Sequence, residues 1–85
     1  MNRNLPEKVF RIGYVSASVF ERKLTREGEP DRIVRSVNLQ KRYNDDGEAK
    51  FSSSFGLAEL PQAIEALRLA LDHVASEEAD VANVQ

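Results

Sequence analysis

After Gly13 the chain alternates strictly, with Val15, Ala17 and Val19 on one side and Ser16, Ser18, Phe20 and Arg22 on the other. That is the period of a half-buried strand. Phe10 and Ile12 precede the glycine in the opposite phase, so a bulge or sharp bend at Gly13 separates two short strands or bends one strongly. LTREGEPDR, with Gly28 and Pro30 among charges, reads as a loop. The following segment, RSVNLQKRYNDDGEAKFSSSFG over residues 35–56, reads as a β-hairpin. A two-residue Asp46-Gly47 turn would set Leu39 against Ser54 and Asn38 against Phe55, mixing apolar and polar positions. A three-residue loop, Asp45-Asp46-Gly47, instead pairs Val37 with Phe55, Leu39 with Ser53, Lys41 with Phe51 and Tyr43 with Ala49 on one face. Asn38–Ser54, Gln40–Ser52 and Arg42–Lys50 then share the other, and this register is the one expected.

After Gly56 the period lengthens to 3.6. Leu57, Leu60, Ile64, Leu67, Leu71 and Val74 recur at alternating spacings of three and four, beside Ala63, Ala66 and Ala70, which predicts one amphipathic helix. Pro61 suits its first turn, so regular helix is expected from about Leu60 to Ser76. The expected organisation is a flexible N-terminus over 1–8, one ββββα domain over 9–76 and a loose acidic tail over 77–85. The class is α+β, a curved four-stranded antiparallel sheet followed by one C-terminal helix. Four strands span roughly 19 Å and a helix is about 10–12 Å across, so one helix leaves part of the apolar face uncovered. A homodimer through Leu60, Ile64, Leu67, Leu71 and Val74, or a strongly curled sheet, is expected to complete the core.

At 85 residues the chain supports one small domain, and such a chain buries only about 60–65% of its unfolded surface. It has no cysteine, which excludes disulfides and thiolate metal sites and suits a reducing compartment. The opening MNRNLPEK lacks the apolar run of a signal peptide, and the most hydrophobic region, 57–74, is broken by Glu59, Pro61, Gln62, Glu65, Arg68 and Asp72. A soluble cytoplasmic protein is expected. The net charge of −2 hides a division: residues 1–56 hold 11 Lys/Arg against 8 Asp/Glu, and residues 57–85 hold 1 against 6. A cationic surface on an acidic protein is therefore possible.

No reaction can be read from the chain. The one histidine, His73, lies off the apolar stripe with Asp72 as its only close ionisable neighbour in sequence, and reads as a surface residue. Asn44-Asp45-Asp46-Gly47-Glu48 lacks the ligand spacing of a calcium loop, and turn chemistry accounts for it. Ser52, Ser53 and Ser54 have no histidine base in sequence reach and no nucleophile-elbow glycines. Phosphate-loop and dinucleotide patterns are absent. The protein is read as no enzyme, with no metal and no cofactor. What remains is the outward face: Ser16, Ser18, Phe20 and Arg22, then Ser36, Asn38, Gln40 and Arg42, then Lys50, Ser52 and Ser54. A merely solvated face is the plain alternative. In the expected register Arg42 opposes Lys50, which is unfavourable by about a few tenths of a kcal/mol unless an anion lies between them.

LQKRYNDDGEAK followed by GLAELPQAIEAL resembles the strand, acidic-glycine turn, strand and helix of the PC4-like transcriptional coactivator family, a whirly-like single-stranded DNA-binding fold. The likeness covers about residues 33–74. The chain is also similar to small uncharacterised bacterial proteins with an Ile-Gly strand and a Ser-Phe-Gly helix entry, here IGYVSASVFE and SSFG. The resemblance implies dimerisation through the helix region and sheet surfaces that bind single-stranded DNA. Where the coactivator pattern has a lysine- and glycine-rich segment, this chain has FSSSFG, and it has no tryptophan. Lys41, Arg42, Tyr43 and Lys50 match the family's basic and aromatic positions by type.

Single-strand binding needs cations along the backbone path and flat side chains for base stacking. Phe20 and Tyr43 are the candidate stackers, and Arg22, Lys41, Arg42 and Lys50 the candidate phosphate partners. Asn38 and Gln40 are placed to hydrogen-bond bases or backbone. In the expected register Tyr43 and Lys41 point to the helix side and act only at its rim. The expected function is therefore non-enzymatic single-stranded DNA or RNA binding, as a transcription or DNA-maintenance accessory factor. The alternative is a protein-interaction or assembly module of the same fold. Neither a membrane nor a small-molecule substrate is expected as a partner.

Overall fold

A computed structural model describes residues 5–78. Four strands, β1 (Lys8–Ile12), β2 (Val15–Leu24), β3 (Arg32–Asp45) and β4 (Glu48–Ser52), precede one helix, α1 (Leu60–Glu78). The strands form one open antiparallel sheet in the order β1-β2-β3-β4. The expected ββββα order is thus present. Its edges differ slightly: Glu7 already donates its N–H to Val19 O at 2.7 Å, and Glu77 and Glu78 belong to the helix. Of the terminal segments expected to be loose, 1–4 and 79–85 lie outside the described residues.

Gly13 marks a hairpin turn, Gly13-Tyr14, rather than a bulge: Ile12 pairs with Val15. Its φ of +62° suits the first central residue of a tight hairpin turn, which favours glycine. A second constraint acts there, because an added Cβ would lie 2.5 Å from Gln62 Oε1 on α1. The helix docks on the sheet through alanines. Ala63, Ala66 and Ala70 are buried against Val15, Ala17 and Val19 of β2, with Phe10, Ile12, Val37, Leu39, Phe55 and Val74 packed around them.

The expected β3–β4 register is corrected. Arg42 pairs with Phe51, Tyr43 with Lys50 and Asp45 with Glu48, so the loop is the two-residue turn Asp46-Gly47. Both turn residues have positive φ, 56° and 81°, a twist that matches the flanking strands. Aspartate tolerates that conformation and glycine accepts it freely. The mismatch that counted against this turn never arises, because the ladder ends at Lys41–Ser52. Leu39 has no β4 partner at all.

The helix begins with Leu60 N–H donating to Gly56 O at 3.0 Å, and Glu59 Oε1 accepts the Gly56 N–H at 2.6 Å. That is the returning half of a capping box. Pro61 falls within the first turns, where its missing N–H is tolerated. The apolar row that defined the helix in sequence mostly faces away from the sheet: Leu60, Ile64, Leu67 and Leu71 are exposed, and Val74 is half-buried.

Candidate nucleic-acid interface

Directly opposed residues of an antiparallel ladder share a face. Arg11 pairs with Ser16 and Ser16 with Gln40, while Arg42 pairs with Phe51, Phe20 with Ser36, Arg22 with Val34 and Leu24 with Arg32. These residues therefore share the side of the sheet opposite α1. The expected residues Phe20, Arg22, Asn38, Gln40 and Arg42 are brought together there. Lys41, Tyr43 and Lys50 are not: Lys41 pairs with Val15 and Ser52, and Tyr43 with Lys50, all on the helix side. The opposition of Arg42 and Lys50 does not exist.

The two sides treat charge differently. On the helix side Lys41 Nζ donates to Glu59 at 3.0 Å, Lys50 pairs with Asp45 at 3.4 Å and Lys23 with Asp31 at 3.7 Å. Arg35, nearly buried, donates from Nε to Glu7 at 2.8 Å and reaches Glu21 and Glu77. On the open side Arg11, Arg22, Arg32 and Arg42 are all exposed and make no ion pair among the described residues. None of the open-side strand positions, read by this alternation from β1 to β4, is a carboxylate. Four guanidinium groups without an ion pair thus lie on strand positions that carry no carboxylate; the loop carboxylate Glu29 lines a small recess with Leu24 and Arg32.

Aromatic and polar groups complete that face. Phe51 is 58% exposed and stands across the ladder from Arg42, and Phe20 is half-buried beside Ser36. The two phenylalanines mark positions six residues apart along β3, about 20 Å. Between the guanidiniums, Arg11, Ser16, Ser18, Gln40, Arg42 and Phe51 line a shallow recess of about 440 Å³. A second recess, about 480 Å³, lies between the hairpin and the start of α1 and shares Tyr14 and Arg42 with the first. Tyr43 and Lys41 line it, so their rim position stands, although Glu59 already holds Lys41.

Arg11, Arg32 and Phe51 were missed in sequence. Asp46-Gly47 read as a two-residue turn would have turned Phe51 outward and Lys50 inward. Arg11 and Arg32 required the β1–β2 and β2–β3 registers.

His73 is half-buried and its Nε2 lies 2.6 Å from Glu7 Oε2, so its ionisable neighbour is Glu7 rather than Asp72. Hydrogen bonds from Arg35, and next His73, hold the Glu7 carboxyl below the usual carboxylate range. The Gly56 N–H, and next Lys41, do the same for Glu59. Among the described residues no group of three or more His, Asp or Glu side chains is placed to hold a metal ion, and no helix is long and apolar enough to cross a membrane. Compared with protein-family models, curated proteins and solved structures, the chain matches none.

Proposed function

We propose that the open sheet face binds single-stranded nucleic acid without catalysing a reaction. The observation that carries this reading is the set of four exposed, unpaired arginines on strand positions free of carboxylates, on a face that also presents Phe20 and Phe51. A flexible strand can thread such a surface with its phosphates on Arg11, Arg22, Arg32 and Arg42 and its bases on the phenyl rings. Asn38, Gln40 and the serines supply hydrogen bonds to base edges or sugar. These groups suit several bases, so weak sequence preference accompanies the binding.

A duplex suits this face less, because its bases are already stacked and offer nothing to Phe51. The test is fluorescence anisotropy of a labelled single strand against the matched duplex, with salt varied. Binding to the single strand is expected to be tighter, with a log–log salt slope of about −0.7 for each phosphate neutralised, and hence about −2 to −3 for four arginines. Salt-insensitive binding, or none at low salt, would leave the face as a solvated surface and favour the assembly-module reading.

A further inference from the structure

The recess between the hairpin and the start of α1 holds about 480 Å³, a size that suits a small ligand or one nucleotide rather than a helix or a duplex. It forms because β3 outruns β2. The β2–β3 ladder ends at Val15–Lys41, and Arg42 N–H donates to Tyr14 O at 2.9 Å. Tyr43, Asn44 and Asp45 then continue with β4 alone, as a projecting arm. Tyr14 and Arg42 line both this recess and the one on the open face, so the two meet there. Ala58 and Glu59 before α1, and Gln62 within it, close the far side.

We infer that this recess seats the terminal nucleotide of a strand lying on the open face, a site that rests on the strand binding proposed above. Charge selects the group that enters. The lining contains Lys41, Arg42 and Glu59, and Lys41 Nζ is already held by Glu59 at 3.0 Å, so Arg42 is its one unpaired charge. A single guanidinium matches a single phosphodiester, the link between the last two nucleotides, and Arg42 stands at the junction where that link crosses.

Beyond the junction the base needs a flat partner. Tyr14 is 73% exposed and Tyr43 43%, and among the described residues the only aromatic ring contact is that of Phe10 with His73. Tyr14, the more open ring and the one at the junction, is the platform for the last base, while Tyr43 and Ala49 wall the recess on the hairpin side. Asn44 and Gln62 add carboxamides. Gln62 Oε1 is buried against Gly13 without a hydrogen-bond partner, so its NH2 is the end free to donate. Every base carries a ring-nitrogen or carbonyl acceptor, and the site therefore takes any of them. The helix entry stops the strand, so an end fits here and a continuing chain does not.

Three strands test this, each with the same run of about eight unpaired nucleotides and one internal fluorophore. One has both ends free, one continues at its 5′ end into a stable hairpin, and one continues at its 3′ end into the same hairpin. In anisotropy titrations at low salt, one of the two hairpins is expected to weaken binding about fivefold or more, the loss of one base–aromatic stack, and the other to leave it near that of the free strand. Tyr14→Ala should bind the two blocked strands alike, with the wild-type salt slope and an unchanged thermal midpoint, since the ring is exposed. Blocked strands that bind the wild-type protein equally well, or a difference between them that survives Tyr14→Ala, would overturn the end site and leave the open-face reading standing. Absence of salt-sensitive binding to all three would overturn that reading and the end site with it.

Discussion

Glu7 ties three elements through one carboxylate: Arg35 Nε of β3 donates to it at 2.8 Å, His73 Nε2 of α1 lies 2.6 Å away, and its own N–H meets β2. A carboxyl held below its ordinary value stabilises the fold only while ionised. Its contribution is complete above the unfolded value near 4.5 and is lost as pH falls through the lower folded value. Glu59 and Glu65 are lowered as well, so all three act with the same sign. Urea midpoints are therefore expected to hold from pH 7 to about 5 and to fall below about 4.5. Glu7→Gln should lower the midpoint at pH 7 and make the acid fall shallower. An unchanged midpoint at pH 7 would show that the Glu7 contacts contribute nothing to the fold.

A single turn decides which face of the hairpin carries which residues. Because Asp46-Gly47 closes β3 onto β4 with two residues, Phe51 turns outward beside Arg42 and Lys50 turns inward beside Tyr43. Phe51→Ala is expected to weaken single-strand binding by about 1–3 kcal/mol, the usual worth of a base–aromatic stack. Its thermal midpoint should barely move, since the ring is mostly exposed. Tyr43→Ala should alter binding much less, and the reverse ranking of the two would place the strand on the wrong side of the sheet. The elements themselves were legible in the chain. Alternation over Val15–Arg22 and the 3.6 period after Gly56 each follow from local sequence. The hairpin register was not, because face coherence along the sequence favours a longer ladder than forms; the pairing stops at Ser52, so Leu39 never constrains it. Nor could the helix row show which way it faced. Both the alanine and leucine stripes are apolar, and the short side chains win the sheet because they let α1 approach β2 closely.

Across the whole molecule, strand alternation separates two kinds of surface. The helix side holds most of its carboxylates and most of its cations in ion pairs, while the charged strand residues of the open side are arginines alone. This explains how a chain of net charge −2 can present a strongly cationic face. Arg42 and Lys50 offer the most direct comparison, since both are exposed hairpin cations and charge reversal at either changes the net charge equally. Anisotropy titrations of one labelled single strand, at one low salt concentration, would compare Arg42→Glu with Lys50→Glu. Arg42→Glu is expected to weaken binding by about tenfold or more, and Lys50→Glu by no more than about threefold through net charge. Equal losses from the two variants, or no loss from Arg42→Glu, would contradict binding on the open face.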